Sequence, residues 1–181
     1  MTDALDIGCG TLTSHTARGN VNIDLTRRPK NRPENFVCGD ANHLPFKNES
    51  FDKVSFYEVI EHVENPSQCI REITRTLKSD GSCEVSTPNP THWRILLRHL
   101  LHRRYVPWIE HIAMWGIPEL ENLLRTCGLR VVEEDYVTVK EREKFDRWTH
   151  RIADGIGHKL SLCHALTGRS VWVKAVKVNG E

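Results

Sequence analysis

The 181-residue chain lacks any run approaching roughly 18 consecutive apolar residues, the length a bilayer-spanning helix needs, so no transmembrane segment is expected. It also lacks a Cys-x-x-Cys pair: its six cysteines, at 9, 38, 69, 83, 127 and 163, are scattered. That spacing offers neither a zinc cluster nor a dense disulfide frame, and the expectation is reduced thiols in a cytoplasmic protein without a bound metal. An excess of one charge is missing too. With 25 Lys and Arg against 24 Asp and Glu, the net charge is +1. No global field draws such a chain to nucleic acid or to an anionic membrane, and no nucleic-acid partner is expected. Only Met1, Thr2 and Asp3 precede the first apolar run, which leaves no room for a signal peptide. Repeats and low-complexity segments are absent, and the length fits one domain over residues 1–181.

What is present is a series of short apolar runs bounded by turn residues: Ala4–Ile7, Val21–Ile23, Asn35–Val37, Val54–Tyr57, Ser82–Ser86, Arg130–Val137 and Ser170–Val178. Several are too continuous to alternate, which predicts strands of a sheet buried on both faces. Between the fourth and fifth runs, Asn65 is a good N-cap, with Pro66 at the first helical position and Gln68 three residues after the cap. Ile70, Ile73 and Leu77 follow at helical spacing, and Gly81 is placed at the end of the turn. A second helix is marked by Pro118 and Glu119, then by Leu120, Leu123, Leu124 and Cys127 at i, i+3, i+4 and i+7, with Gly128 as its C-terminal cap. Strands alternating with helices predict a mostly parallel α/β sheet, whose ligands bind beyond the carboxyl ends of the strands.

The loops at those ends carry chemistry in order. Gly8-Cys9-Gly10 follows the first strand, Asp24 ends the second and Asp40-Ala41 follows the third. Glycines let backbone approach a ligand closely and leave amides to donate. An acidic residue at the second strand accepts both hydroxyls of a ribose, and the 18 residues from Asp6 to Asp24 are close to the spacing typical of such folds. Asp40 can accept from an exocyclic amine while the next backbone N–H donates to a ring nitrogen, which together read an adenine edge. Singly, each is an ordinary turn or cap residue. Three in the right order, each directly after a strand, point to an adenosine.

With those loops on the page, the chain resembles the class I S-adenosylmethionine-dependent methyltransferases, especially their small type 11 group. The likeness runs through "LDIGCG", "NIDL", "GDANHLPFKNESFDKVSFYEVIEHV", "REITRTLKSDG", "STPN" and "EHIAMWGIPELENLLRTCGLRVVE", about three quarters of the chain. The resemblance implies a Rossmann-like α/β fold with a seven-stranded, mostly parallel sheet and an antiparallel last strand. It places Asp6, Gly8, Cys9 and Gly10 against the methionine part of S-adenosyl-L-methionine, Asp24 with Leu25 at the ribose, and Asp40 with Ala41 at the adenine. Phe56 and Tyr57 would line the methionine side, and His62 would sit nearby as the candidate catalytic base. Two features depart from the family. Leu12 stands where a third glycine is common, and only ten residues, Thr11 to Asn20, separate Gly10 from the second strand, so the first crossover helix is expected to be cut down or absent.

Methyl transfer is an in-line displacement, so alignment and water exclusion matter more than any fixed catalytic signature. Neither an Asn-Pro-Pro-Tyr motif nor a Pro-Cys pair is found, and "TPNP" at Thr87–Pro90 is equivalent to neither. His62, His92 and His111 are the candidate bases. The stretch Thr91–Trp115 lies where the family builds its substrate cover. Its Leu96, Leu97, Leu100 and Leu101 share one helical face, and Arg94, Arg98, His102 and Arg103 share the other. This predicts a lid with a solvated basic face, with a surface for an anionic or membrane-associated substrate as the sharper alternative. Trp93, Trp108 and Trp115 could wall the acceptor pocket. The region Lys140–Gly168 reads as a helical inserted cover, and its His158, Cys163 and His164 make no convincing metal set. The acceptor is expected to be a small or lipid-like molecule. A non-catalytic cofactor-binding protein is the alternative, and a nicotinamide-dependent oxidoreductase a weaker one. Because the shortened start leaves little to cover one sheet face, a homodimer near Gly10–Asn20 is also expected.

Overall fold

The computed structural model describes residues 3–9, 20–26, 35–101, 111–137 and 168–178, with His99 described by its backbone alone. Its strands are β1 (Ala4–Ile7), β2 (Val21–Asp24), β3 (Phe36–Cys38), β4 (Phe51–Tyr57), β5 (Leu77–Pro88), β6 (Leu129–Val137) and β7 (Ser170–Lys177). They form one sheet in the order β3-β2-β1-β4-β5-β7-β6. The first five pair in parallel, and β7 runs antiparallel to both its neighbours. This is the mostly parallel sheet with a reversed last strand that the motifs imply.

Helix α1 (Pro66–Thr76) starts as its sequence dictates: the Asn65 side chain accepts from the Gln68 N–H at 3.1 Å, satisfying one of the orphan amides of the first turn. Its end differs from expectation. Leu77 is already extended and opens β5, so Gly81 lies inside that strand rather than at a helix terminus. Phe51 pairs with Leu77 and Lys53 with Ser82, so β5 carries extra residues here. A side chain at Gly81 would crowd Leu77 Cδ2 at 3.0 Å and the Phe51 carbonyl at 3.1 Å, which is why the bulge ends on glycine. Helix α2 spans Trp93–Leu100 and α3 spans Ile117–Thr126. After α3, Gly128 takes φ +86°, the left-handed cap anticipated from its position.

Register explains where the core sits. Leu5, Ile7, Ile23, Val54, Phe56, Cys83, Val85, Val173 and Ala175 are buried in one cluster with Ile70 and Ile73 of α1 and Leu120 and Leu124 of α3. The opposite face of the same strands carries Asn22, Asp6, Ser55 and Glu84, paired in register from β2 to β5. These polar residues are buried as well. Both faces are thus buried, but only one is apolar, and the strands alternate more than their composition suggests. The interface segment 10–19, the shortened first crossover and the inserted region 140–167 lie outside the described residues. Among the described residues no helix is long and apolar enough to cross a membrane.

Candidate active site

The strand order reverses between β1 and β4, and in an open α/β sheet a crevice forms there beyond the carboxyl ends. The loops after β1, β2, β3 and β4 therefore meet at one edge.

After β1, Gly8 has φ +81°, and a side-chain carbon there would overlap Val59 Cγ2. Glycine is thus required both by backbone conformation and by the close passage of the β1 loop against the β4 loop. Its amide is not held in reserve for a ligand: the Gly8 N–H donates to the Ile23 carbonyl at 2.9 Å, and the Cys9 N–H reaches the same oxygen at 3.5 Å. Cys9 is buried, and its thiol is pushed up to about 11, first by burial and then by the nearby carboxylates of Asp24 and Asp6. Gly10 lies outside the described residues.

At the end of β2, Asp24 Oδ1 accepts from the Thr26 N–H at 2.7 Å. Leu25 beside it is exposed. After β3, Asp40 Oδ1 accepts from both the backbone and the side-chain N–H of Asn42, at 2.8 and 3.0 Å, and these bonds hold its carboxyl below the usual range. Ala41 packs against the core. The rest of this loop is tied to α1: Glu72 accepts from the Leu44 N–H at 2.9 Å, while the Arg75 guanidinium donates to the carbonyls of Leu44 and Phe46 and to Asn48. The shape of the loop that carries Asp40 is therefore set from the helix, a long-range link no local pattern announces.

The end of β4 separates two residues that the resemblance places together. Phe56 is wholly buried in the apolar core, whereas the next residue, Tyr57, points to the polar face, where its hydroxyl donates to Glu84, which Lys53 also engages. Successive strand residues face opposite ways, so the two side chains lie on opposite faces of the sheet. Beyond them Glu58 has φ +53°, a left-handed conformation that a non-glycine residue adopts at a cost. Its carboxylate accepts from Ser86 Oγ at 2.9 Å.

The chain then makes a 3-10 turn, Ile60–His62. Glu61 is 1% exposed, and its carboxyl is pushed up to about 7, first by burial and then by Glu58. Thr87 Oγ1 donates to its Oε2 at 3.2 Å, while Oε1 lies 4.0 Å from His62 Nε2. His111 joins them, its ring 4.7 Å from that of His62 and nearly perpendicular to it. The backbone secures the arrangement, because the Ile112 N–H donates to the Glu61 carbonyl at 2.7 Å. Two of the three candidate bases thus meet, around a buried glutamate that sequence reasoning passed over. His111 is 49 residues from His62, and no spacing signals their contact. His92 stands apart, its carbonyl and Nδ1 serving the first turn of α2.

Helix α2 is exposed on both of its faces. Arg98 is exposed, as expected of the basic face, but so are Leu96, Leu97, Leu100 and Leu101, Leu100 by 76%, while Arg94 is half-buried with its guanidinium 5.2 Å from the Trp93 ring centre. Trp115 packs against the core; Trp108, His102 and Arg103 lie outside the described residues, as do His158, Cys163 and His164.

This strand order, with its reversed last strand, is that of the Rossmann-like class I methyltransferase fold. Residues 5–85, less than half of the chain, match the family model described as "Methyltransferase domain". It is 32% identical over 104 residues to an uncharacterized protein of Methanocaldococcus jannaschii, covering 54% of this chain and 41% of that one. It is 33% identical over 111 residues to a demethylmenaquinone methyltransferase of Streptomyces griseus, covering 51% and 48%. The chain spans less than half the length of both relatives. A crystal structure of an S-adenosylmethionine-dependent methyltransferase from Thermotoga maritima shares the fold with a TM-score of 0.67 at 19% identity, over 98% of this chain and 83% of that one.

The residues present fit the family's cofactor, S-adenosylmethionine. Asp6, Asp24 and Asp40 gather carboxylates at the edges of three adjacent strands, which suits a ligand bearing a sulfonium, an ammonium and ribose hydroxyls. Thr13 stands where the third glycine of a dinucleotide fingerprint would follow Gly8 and Gly10, which disfavours the nicotinamide alternative.

Proposed function

We propose that the chain transfers a methyl group from S-adenosylmethionine to a small, lipid-like acceptor. When bound, the cofactor supplies an electrophilic methyl on a sulfonium. Asp24 would accept from the ribose hydroxyls, Asp40 and Ala41 would border the adenine, and Asp6, Gly8, Cys9 and Gly10 the methionine end. His62, on the turn after β4, would take the proton an acceptor must lose on the ring nitrogen turned away from Glu61, Nε2 being the one that faces that carboxyl.

The observation that carries the acceptor class is the exposed leucine face of α2. Contiguous apolar surface of this kind marks contact with apolar partners. The helix begins five residues after β5, at the same edge as the cofactor loops. The Streptomyces griseus relative, named for demethylmenaquinone, acts on an acceptor of that kind by its printed name.

Titration with S-adenosylhomocysteine tests the cofactor half: binding is expected, and its absence at millimolar ligand would overturn the reading. Asp24→Ala should weaken that binding by about 1–3 kcal/mol, the usual cost of leaving buried polar groups unpaired. Incubation of extracts with isotopically methyl-labelled cofactor, followed by mass spectrometry, tests the acceptor. Label is expected in the organic-soluble fraction, and Leu100→Glu should cut it severalfold while leaving cofactor affinity unchanged. Tight cofactor binding with no label in any fraction would favour the non-catalytic binding protein instead.

A further inference from the structure

The cluster at the end of β4 has the composition of a metal site. We propose that Glu61, His62 and His111 bind one first-row divalent transition-metal ion of the zinc, cobalt or manganese type. The ligand atoms of the three residues lie within 4.8 Å of one another. Around an ion with bonds of about 2.1 Å, neighbouring ligand atoms stand about 3–3.5 Å apart, so the set closes on an ion with shifts of about 1 Å. The histidines are the more accessible members of the set. His62 is 36% exposed at its side chain and His111 is half-buried, whereas Glu61 is locked in place.

The support around the cluster is that of a ligand set rather than of a chance pair. Thr87 fixes one oxygen of Glu61 and leaves the other turned to His62, as hydrogen-bonded carboxylate ligands usually are held. The two imidazole rings pack edge to face, 82° apart in plane with centres 4.7 Å apart, so a turn of one ring brings their nitrogens onto one ion. The Ile112 and Ala113 amides both reach the Glu61 carbonyl, at 2.7 and 3.4 Å, which ties the His111 segment to the turn. Glu58 adds a second acidic charge near the buried Glu61, so a cation is welcome where a lone carboxylate is not. Two imidazoles and one carboxylate select a borderline transition metal over magnesium or calcium, which prefer oxygen throughout. Three protein ligands leave coordination positions open to a water or to another oxygen donor. With an ion in place, His62 holds the ion instead of a proton. The inference stands independently of the acceptor's identity.

The test uses the full chain without a histidine tag, stripped by chelator and titrated calorimetrically with zinc, and with cobalt followed by its visible absorption. One ion per chain is expected, with affinity falling at least tenfold in His111→Ala and in Glu61→Gln. Thr87→Val, which touches no ion, should lose roughly 10- to 100-fold, the typical cost of removing a partner of a metal ligand. S-adenosylhomocysteine affinity and thermal unfolding are measured on the same samples. Because Glu61 is buried and its variant can misfold, the more accessible His111→Ala carries the decision. Unchanged ion affinity in a folded His111→Ala, or no saturable binding in the parent, would overturn the site. Loss of S-adenosylhomocysteine binding in the parent would instead count against the cofactor reading.

Discussion

Gly8 shows how one residue can be chosen correctly for an incomplete reason. Its sequence context marks it as a ligand-approach glycine, yet the close neighbour is Val59 of the same chain. Gly8→Ala should therefore lower stability by about 1–3 kcal/mol in denaturant titration, from left-handed strain and overlap, before any effect on ligand is counted. Cysteine exposure makes a second residue-scale prediction. Cys9, Cys69, Cys83 and Cys127 are buried while Cys38 is exposed, and burial pushes the thiols of Cys9 and Cys69 up to about 11 and about 12. Brief alkylation at neutral pH, mapped by peptide mass spectrometry, should label Cys38 well ahead of these four.

Among the elements, α1 does two jobs: it covers the apolar face of the sheet and it shapes the loop carrying Asp40. The first depends on its start. Asn65→Ala should cost about 1 kcal/mol of unfolding free energy, the usual value of an N-cap. The second depends on Glu72 and Arg75, which bond at 2.8 Å and together hold the backbone of Leu44 and Phe46. The Arg75 hydrogen bond keeps the Glu72 carboxyl below its ordinary value. A carboxyl lowered in the folded state stabilises above its unfolded value, near 4.3, and the contribution is lost as pH falls through the folded one. Glu72→Gln should accordingly be less stable than the parent at neutral pH, with the difference shrinking in acid. Thermal unfolding across pH 3 to 7 reads this directly, and a constant difference would count against the pairing.

Over the whole molecule, the sheet divides its labour by face. Phe56 stands at the centre of the apolar side, fully buried, and Phe56→Ala should destabilise by about 3–5 kcal/mol. Glu84, on the polar side of the same pair of strands, engages Lys53 and Tyr57. The candidate site lies at the carboxyl edge, where the β1, β2 and β3 loops bring acidic groups and the β4 turn brings Glu61 and His62 against His111. Among the described residues, α2 offers four exposed leucines, the largest group of exposed apolar side chains, which is why they are the handle proposed for acceptor choice.

The sequence by itself determined the strands, the Asn65 and Gly128 caps and the order of acidic loops, because each rests on local rules: periodicity, capping and turn chemistry act over a few residues. It could also name Asp24 and Asp40, since a strand ending in an acidic residue places that residue at the carboxyl edge wherever the strand lies. Facing and partnership were decided only by tertiary structure. Phe56 and Tyr57 parted because pairing to Ile7 and Ser86 fixed which side each takes. The leucines of α2 are exposed although their spacing pointed them inward, and exposure of a helix face depends on what the rest of the fold brings against it. Glu61 met His111 through a backbone bond across 51 positions, from Glu61 to Ile112, and contacts that distant in the chain exist only once the sheet has brought both ends to the same edge.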